Sequence, residues 1–142
     1  MKKILIHASL DFKEQMICAQ EYILKSMGET EVILPDLTRY QHIRDELGDD
    51  VTFTQIKHRL TMENFNNVEK CDCLLVLNYS HRGIVNYIGG NSFMEMVVAT
   101  YLQKPIYLLK DIPNNMPYTE EIKSLYPCVV DNLSNFVHIV NG

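Results

Sequence analysis

Two acidic residues stand in otherwise apolar stretches of the sequence, and both could do chemistry. Glu95 lies within "SFMEMVVA", and Asp72 lies within "CDCLLVLN". A carboxylate in apolar surroundings can act as a nucleophile or as a proton donor and acceptor. The structural alternative for Glu95 is a capping box, because "SFME" places Ser92 at the spacing where each side chain bonds the other residue's backbone amide. The fragment alone leaves both interpretations open.

A second group of residues sits in two segments that could contact a ligand. His7 and Ser9 follow the first apolar run, and the segment before Glu95 contributes Asn86, Gly89, Gly90 and Asn91. Adjacent glycines permit positive φ and a close approach of backbone to ligand, although a plain turn also uses glycine. Ser9 could cap a helix or present its hydroxyl to a phosphate. His7 could bond a ligand or simply face solvent.

Several common chemistries lack their sequence signatures. The pair Cys71 and Cys73 has neither a second cysteine pair nor a histidine at zinc-site spacing. The first turn between strand and helix reads "HASLDF" rather than G-x-G-x-x-G, and "IGGNS" lacks the lysine of a phosphate-binding P-loop. We therefore predict no metal, no cofactor, and reduced cysteines that pack as small apolar residues.

Length and charge narrow the possible partners. The chain of 142 residues fits one domain, 1–142, and its formal net charge of -5 comes without a basic tract. That balance disfavours binding to a nucleic-acid polymer but leaves a single nucleotide possible. The apolar run after the initial methionine is shorter than a signal-peptide core, and no run approaches a membrane span. We expect a cytoplasmic protein without membrane association.

Hydrophobic periodicity predicts strands and helices in alternation. Residues 36–51 are polar without a clear period and predict a surface excursion with one helical turn. Predicted strands cover 3–8, 30–35, 71–78, 104–109 and 127–130. Predicted helices cover 12–27, 54–69, 119–125 and 133–140, and a further helix lies between the loop 79–91 and the strand 104–109.

This alternation indicates an α/β fold, because each crossover helix must pack back onto a parallel sheet. Five strands in this length predict a three-layer flavodoxin-like (Rossmann-like) domain with strand order 2-1-3-4-5. Ligands of such sheets bind beyond the carboxyl ends of the strands. We expect those ends at the loops that begin at His7, Asn78 and Leu109.

The segments "CDCLLVLN", "GIVNYIGGNSFMEM" and "ATYLQKPIYLL" resemble the nucleoside 2-deoxyribosyltransferase-like superfamily. They are most similar to its small members, whose central loop reads approximately N-Y-I-G-G-N-[ST]-F-x-E. The resemblance extends through "IPNNMPYTEEIKSLYPCVV" and implies a flavodoxin-like fold and a homodimer or higher homo-oligomer. Active relatives usually read E-x-G-x-A after the nucleophile, whereas this chain has Val97 at the glycine position.

The resemblance also implies a reaction. Glu95 would attack the anomeric carbon of a nucleoside or nucleotide, and Asp72 would assist the base or sugar, with hydrolysis or base transfer as the outcome. The residues predicted to line the sugar or phosphate site are His7, Ser9, Asn86, Gly89, Gly90 and Asn91. The alternatives are a nucleotide-binding or sensing module without chemistry, and a domain that serves in subunit assembly.

Overall fold

The sheet is all parallel and has the predicted strand order. The computed structural model describes residues 1–142. Its strands are β1 (Lys2–His7), β2 (Thr30–Ile33), β3 (Cys73–Val76), β4 (Ile106–Leu108) and β5 (Cys128–Val129). They pair side by side in the order β2-β1-β3-β4-β5. The prediction of an α/β flavodoxin-like arrangement is therefore confirmed.

Helices connect the strands and cover both faces of the sheet. They are α1 (Lys13–Ser26), α2 (Gln41–Leu47), α3 (Phe53–Lys70), α4 (Gly90–Tyr101), α5 (Thr119–Ser124) and α6 (Leu133–Asn141), with a short 3-10 turn at Leu10–Phe12 before α1. No helix here combines the length and the apolarity that crossing a bilayer requires.

The region 36–51 is more ordered than its polar composition predicts. It contains the whole of α2, whose Ile43 is fully buried against Ile56 and Leu60 of α3. A single buried side chain anchors this helix, so no apolar period marks it in the sequence.

Alternating side chains divide the core into two layers. Ile4, Ile6 and Leu75 belong to the cluster that packs beneath α1 and α6. Leu5 and Leu74 belong to the cluster on the opposite face, beneath α4 and α5. Because both faces are covered, the central strands read as continuous apolar runs.

The pairing of β1 with β3 fixes where a ligand can meet the sheet. His7 lies opposite Val76, so the carboxyl ends of these strands stand side by side. Just beyond β3, the fully buried amide of Asn78 donates to the carbonyls of Lys110 and Asp111 and accepts from the Lys110 amide. These bonds hold the ends of β3 and β4 level.

Candidate active site

A cleft of about 250 Å³ opens at the carboxyl ends of β1, β2 and β3. Three loops line it, those that follow His7, Pro35 and Arg82. The loop that begins at Leu109 follows β4, as predicted, and contributes no lining residue to this cleft. The lining comprises His7, Ala8, Ser9, Leu10, Asp11, Pro35, Asp36, Arg39, Tyr40, Leu60, Asn64, Arg82, Tyr87, Gly89, Gly90, Asn91 and Ser92.

Three buried polar side chains meet at the floor of the cleft. His7 Nδ1 is 2.7 Å from Ser92 Oγ, and His7 Nε2 is 2.6 Å from Glu95 Oε2. The residues are 5%, 3% and 1% exposed for His7, Ser92 and Glu95. His7 and Ser92 line the cleft, whereas Glu95 touches it only through them. Anything that enters the cleft meets the histidine and the serine first.

The carboxylate of Glu95 is poorly satisfied. Its contact with His7 is short but oblique, and neither carboxylate oxygen has a hydrogen-bond donor in good alignment. Burial raises the pKa of Glu95, and the close approach of His7 opposes that rise. Buried charged groups without aligned partners are costly, and such groups concentrate at functional sites.

The predicted capping box between Ser92 and Glu95 is absent. Helix α4 begins at Gly90 with Gly89 as the N-cap, and no side chain caps it. Ser92 therefore lies within the first turn and Glu95 one turn further in, where both side chains turn to His7 instead of to backbone amides. The sequence placed the helix start about one half-turn too late.

The start of α4 presents free backbone amides to the cleft. The first helical bond runs from the Phe93 amide to the Gly89 carbonyl, so the amides of Gly90, Asn91 and Ser92 have no intrahelical acceptor. Such an end attracts anions. Neither glycine has the positive φ that their pairing suggested. A Cβ on Gly89 would stand 3.2 Å from the Tyr87 hydroxyl, which gives glycine a packing reason there.

Charged groups ring the mouth of the cleft. Asp11 accepts from Arg39 at 2.8 Å and contacts His81 at 3.1 Å. The hydrogen bond from Arg39 holds the pKa of Asp11 below its usual value, although burial opposes this. Arg82 also lines the cleft, and it makes no ion pair. Arg82 is therefore the cation most available to an anionic ligand.

Asp36 is a lining residue that the sequence did not single out. Burial works against its charge, yet hydrogen bonds from the Thr38 hydroxyl and amide and the contact with His42 lower the pKa of Asp36. His42 also contacts Glu63 at 3.0 Å, and these bonds raise the pKa of His42. No group of three or more His, Cys, Asp or Glu side chains is arranged to hold a metal ion.

The structure does not bring Asp72 to the cleft. Asp72 precedes β3 and exchanges hydrogen bonds with the backbone of Lys3, each at 2.7 Å. His7 lies four residues further along β1, about 13 Å away at strand rise. The pairing of Asp72 with Glu95 is thus corrected, because they stand at opposite edges of the sheet. Asn86 also lies outside the lining, where its amide bonds Ser80 and its φ is +58°.

The remaining predicted residues, His7, Ser9, Gly89, Gly90 and Asn91, do share one cleft. The sequence indicates Ser92 only as a helix cap, and it places Arg39 and Asp36 only in the polar region 36–51. Asp36 and Arg39 could have been found from their position after β2, which ends before Pro35, because all strands of a parallel sheet end at the same edge.

Comparison with known proteins supports the fold. No protein-family model matches the chain, and no curated protein matches it. Among solved structures it is similar to the CMP N-glycosidase BcmB of Clostridium botulinum, with a TM-score of 0.53 and 12% sequence identity. The match covers 99% of this chain and 98% of that chain. At this identity, the likeness shows a shared fold along the full length of both chains.

Proposed function

We propose that this protein cleaves the N-glycosidic bond of a nucleoside 5'-phosphate in the cleft above β1 and β3. The observation that carries the proposal is the buried carboxylate of Glu95 beneath a cleft that offers anion-binding groups. A glycosidic carbon develops positive charge as its bond breaks, and a carboxylate stabilises or traps that charge. The fold that the chain shares with a CMP N-glycosidase supports the same reaction class.

The phosphate fits the start of α4. Its free amides at Gly90, Asn91 and Ser92 would receive the phosphate oxygens, and Arg82 would supply a positive charge nearby. Ser9 lines the same cleft and offers a hydroxyl. This placement leaves the sugar above His7 and Glu95.

The proposed reaction follows from this arrangement. Glu95 Oε forms a bond to the anomeric carbon as the carbon–nitrogen bond breaks, and the base leaves with the bonding electrons and takes up a proton from water. Water then hydrolyses the glycosyl ester, or a second base accepts the sugar. In the conformation described, the His7 ring covers Glu95, so the ring has to turn aside for attack. Asp72 has no part in this proposal.

Base release from a panel of nucleosides and their 5'-monophosphates, followed by chromatography, tests the proposal. We expect release by the wild type and at least about a hundredfold less by Glu95→Gln, which keeps the shape of the side chain and removes its nucleophilic charge. Addition of a second free base separates transfer from hydrolysis. Equal background release by the wild type and Glu95→Gln would refute the enzyme assignment.

The second candidate is a nucleotide-binding module without chemistry. It is favoured by one observation, the 1% exposure of Glu95, which keeps the carboxylate out of the cleft lining. Thermal-shift measurements distinguish the candidates, because a binder gains stability with ligand and leaves the ligand intact. In either case we expect the 5'-monophosphate to stabilise more than the nucleoside, and Arg82→Ala to reduce that difference. Arg59→Ala, which removes an arginine paired with Glu46 outside the cleft, is the matched control.

A further inference from the structure

His7 has both ring nitrogens engaged, and the reaction proposed above assigns it no role beyond covering Glu95. Nδ1 contacts the Ser92 hydroxyl at 2.7 Å, and Nε2 contacts the Glu95 carboxylate at 2.6 Å. The three side chains are almost fully buried, and they come from the end of β1 and from the first two turns of α4. The ring is therefore fixed between a hydroxyl on one side and a carboxylate on the other.

A buried carboxylate that must remain ionised needs a positive partner, because its hydration has been removed. His7 can be that partner. The Ser92 hydroxyl can accept a hydrogen bond from Nδ1–H, so the ring can carry a proton on each nitrogen while Nε2–H faces Glu95. Ser92 thus permits a ring that carries a proton on each nitrogen.

No other charged group packed around α4 serves Glu95. Lys57 of α3 bonds the Asn91 side chain at 3.1 Å, and Lys104, after α4, bonds backbone carbonyls near the end of α3. Tyr118 donates to a backbone carbonyl at 2.6 Å. Because these three groups bond other partners, His7 is the side chain left to act as counterion of Glu95.

The thiols of Cys71, which precedes β3, and of Cys73, the first residue of β3, add no charge near α4. Burial raises the pKa of Cys71 to about 11, and it raises the pKa of Cys73 to about 12. Both remain neutral at physiological pH.

We propose that His7 is the positioning residue of Glu95, and that its ring occupies the place that the positively charged sugar carbon takes in the transition state. This inference rests on the proposed glycosidic cleavage. In the resting protein the imidazolium keeps the carboxylate ionised and in place. As substrate enters, the ring turns toward the cleft and the developing charge on the anomeric carbon replaces it beside Glu95. His7 forms no bond to the substrate.

The first test measures the titration of Glu95 directly by carboxyl ¹³C NMR, with Glu95→Gln to assign the resonance. In His7→Gln, which keeps a polar side chain of similar size but cannot become charged, we expect the pKa of Glu95 to rise. Ser92→Ala should raise it less and in the same direction, because the ring loses its fixed orientation. The control is His138→Gln, which replaces an exposed histidine on α6 and should leave the pKa of Glu95 unchanged. An unchanged Glu95 titration in folded His7→Gln would overturn the proposal.

The second test is the pH profile of kcat/KM for base release. We expect the acid limb of His7→Gln to move to higher pH, with activity recovering toward the wild-type value at alkaline pH. Each unit of movement corresponds to about a tenfold loss on that limb. Two results would contradict the role of His7. If His7 were only structural, kcat/KM of His7→Gln would fall by the same factor at every pH. If His7 only covered Glu95, kcat/KM would rise at every pH.

The two tests separate failure of this inference from failure of the proposed function. Base release by the wild type together with an unmoved Glu95 titration in His7→Gln refutes the role of His7 alone. Absence of base release by the wild type refutes the glycosidase and with it the transition-state replacement, whatever the NMR shows. If His7→Gln does not fold, as judged by circular dichroism, Ser92→Ala decides both tests.

Discussion

At the scale of single residues, Glu95 is held in surroundings that oppose its charge. It is 1% exposed, and its contact with His7 lacks hydrogen-bond alignment. Core packing alone would favour an apolar side chain at such a position, because a buried ion is costly unless it is well bonded. The presence of a glutamate that is only partly satisfied is the strongest residue-level argument for a function.

The charge of Glu95 should make stability depend on pH in a defined direction. Its pKa is raised by burial from an ordinary value near 4.5, with His7 opposing the rise, so the folded state binds the proton more tightly than the unfolded chain. The free energy of unfolding therefore falls as pH rises from the ordinary pKa toward the folded one. Glu95→Gln has no carboxyl group at this position and therefore lacks this loss. The free energy of unfolding of Glu95→Gln relative to that of the wild type should increase as pH rises from the ordinary pKa of Glu95 toward the folded one.

Urea unfolding of both proteins between about pH 4 and pH 8 checks this prediction. A difference between the two free energies of unfolding that stays constant with pH would show that the folded and unfolded states titrate Glu95 alike.

Asp72 should prove dispensable for binding and reaction. It is exposed at the far edge of the sheet, and its side chain accepts from the Lys3 amide. Asp72→Ala should cost about 1 kcal/mol of stability for the lost hydrogen bond and leave base release and ligand-induced thermal shifts unchanged. Chemical denaturation and the base-release assay measure the two effects, and a loss of release with a normal fold would restore Asp72 to the site.

At the scale of elements, the start of α4 decides which side chains the cleft receives. Because the helix begins at Gly90, Ser92 and Glu95 lie one turn apart on the face that meets the end of β1. The same start turns Val97 outward, where it is 43% exposed. Val97 therefore does not crowd the helix against the sheet.

Substitution of this residue tests that conclusion. Val97→Gly should leave base release and the Glu95 titration unchanged, because the side chain faces away from the cleft. It should lower the free energy of unfolding by about 0.5 kcal/mol, since glycine is the poorer helix former. Thermal and urea denaturation measure the cost. A marked gain in base release would show that α4 shifts in a way the outward position of Val97 does not suggest.

At the scale of the whole molecule, parallel pairing gathers the functional groups at one edge. His7 at the end of β1, the start of α4 after β3 and the loop after β2 are distant in sequence and share one cleft. The opposite edge receives Asp72 and the strand beginnings. A parallel sheet thus sorts residues by whether they precede or follow a strand.

We propose that residues 1–142 fold as one unit that self-associates, as the sequence resemblance implies. Thermal unfolding followed by circular dichroism and by tyrosine fluorescence should then give one coincident transition, because two core layers share the same sheet. Its midpoint should rise with protein concentration if folding and association are linked. Light scattering gives the mass directly, and a monomeric mass would refute the association.

The fold class and the strand order follow from the amino-acid sequence alone, which also singles out five of the residues that line the cleft. Apolar runs separated by amphipathic helices leave a parallel sheet as the solution, and residues that follow strands then fall at the ligand edge. His7, Ser9 and the "GGN" segment were found in this way, and Glu95 was singled out beside them. Helix α2 was not predicted at its full length, because its single buried isoleucine, Ile43, produces no apolar periodicity in the sequence.

The pairing of the polar groups depends on tertiary contacts. Periodicity and spacing describe local backbone, whereas the contact of His7 with Glu95 spans β1 and α4 and depends on strand register and on the first residue of a helix. Local spacing assigned Ser92 to a cap and family pattern assigned Asp72 to the site. In the folded chain Ser92 contacts His7, and Asp72 bonds the Lys3 amide at the other edge of the sheet. A side chain bonds the group that packing brings to it.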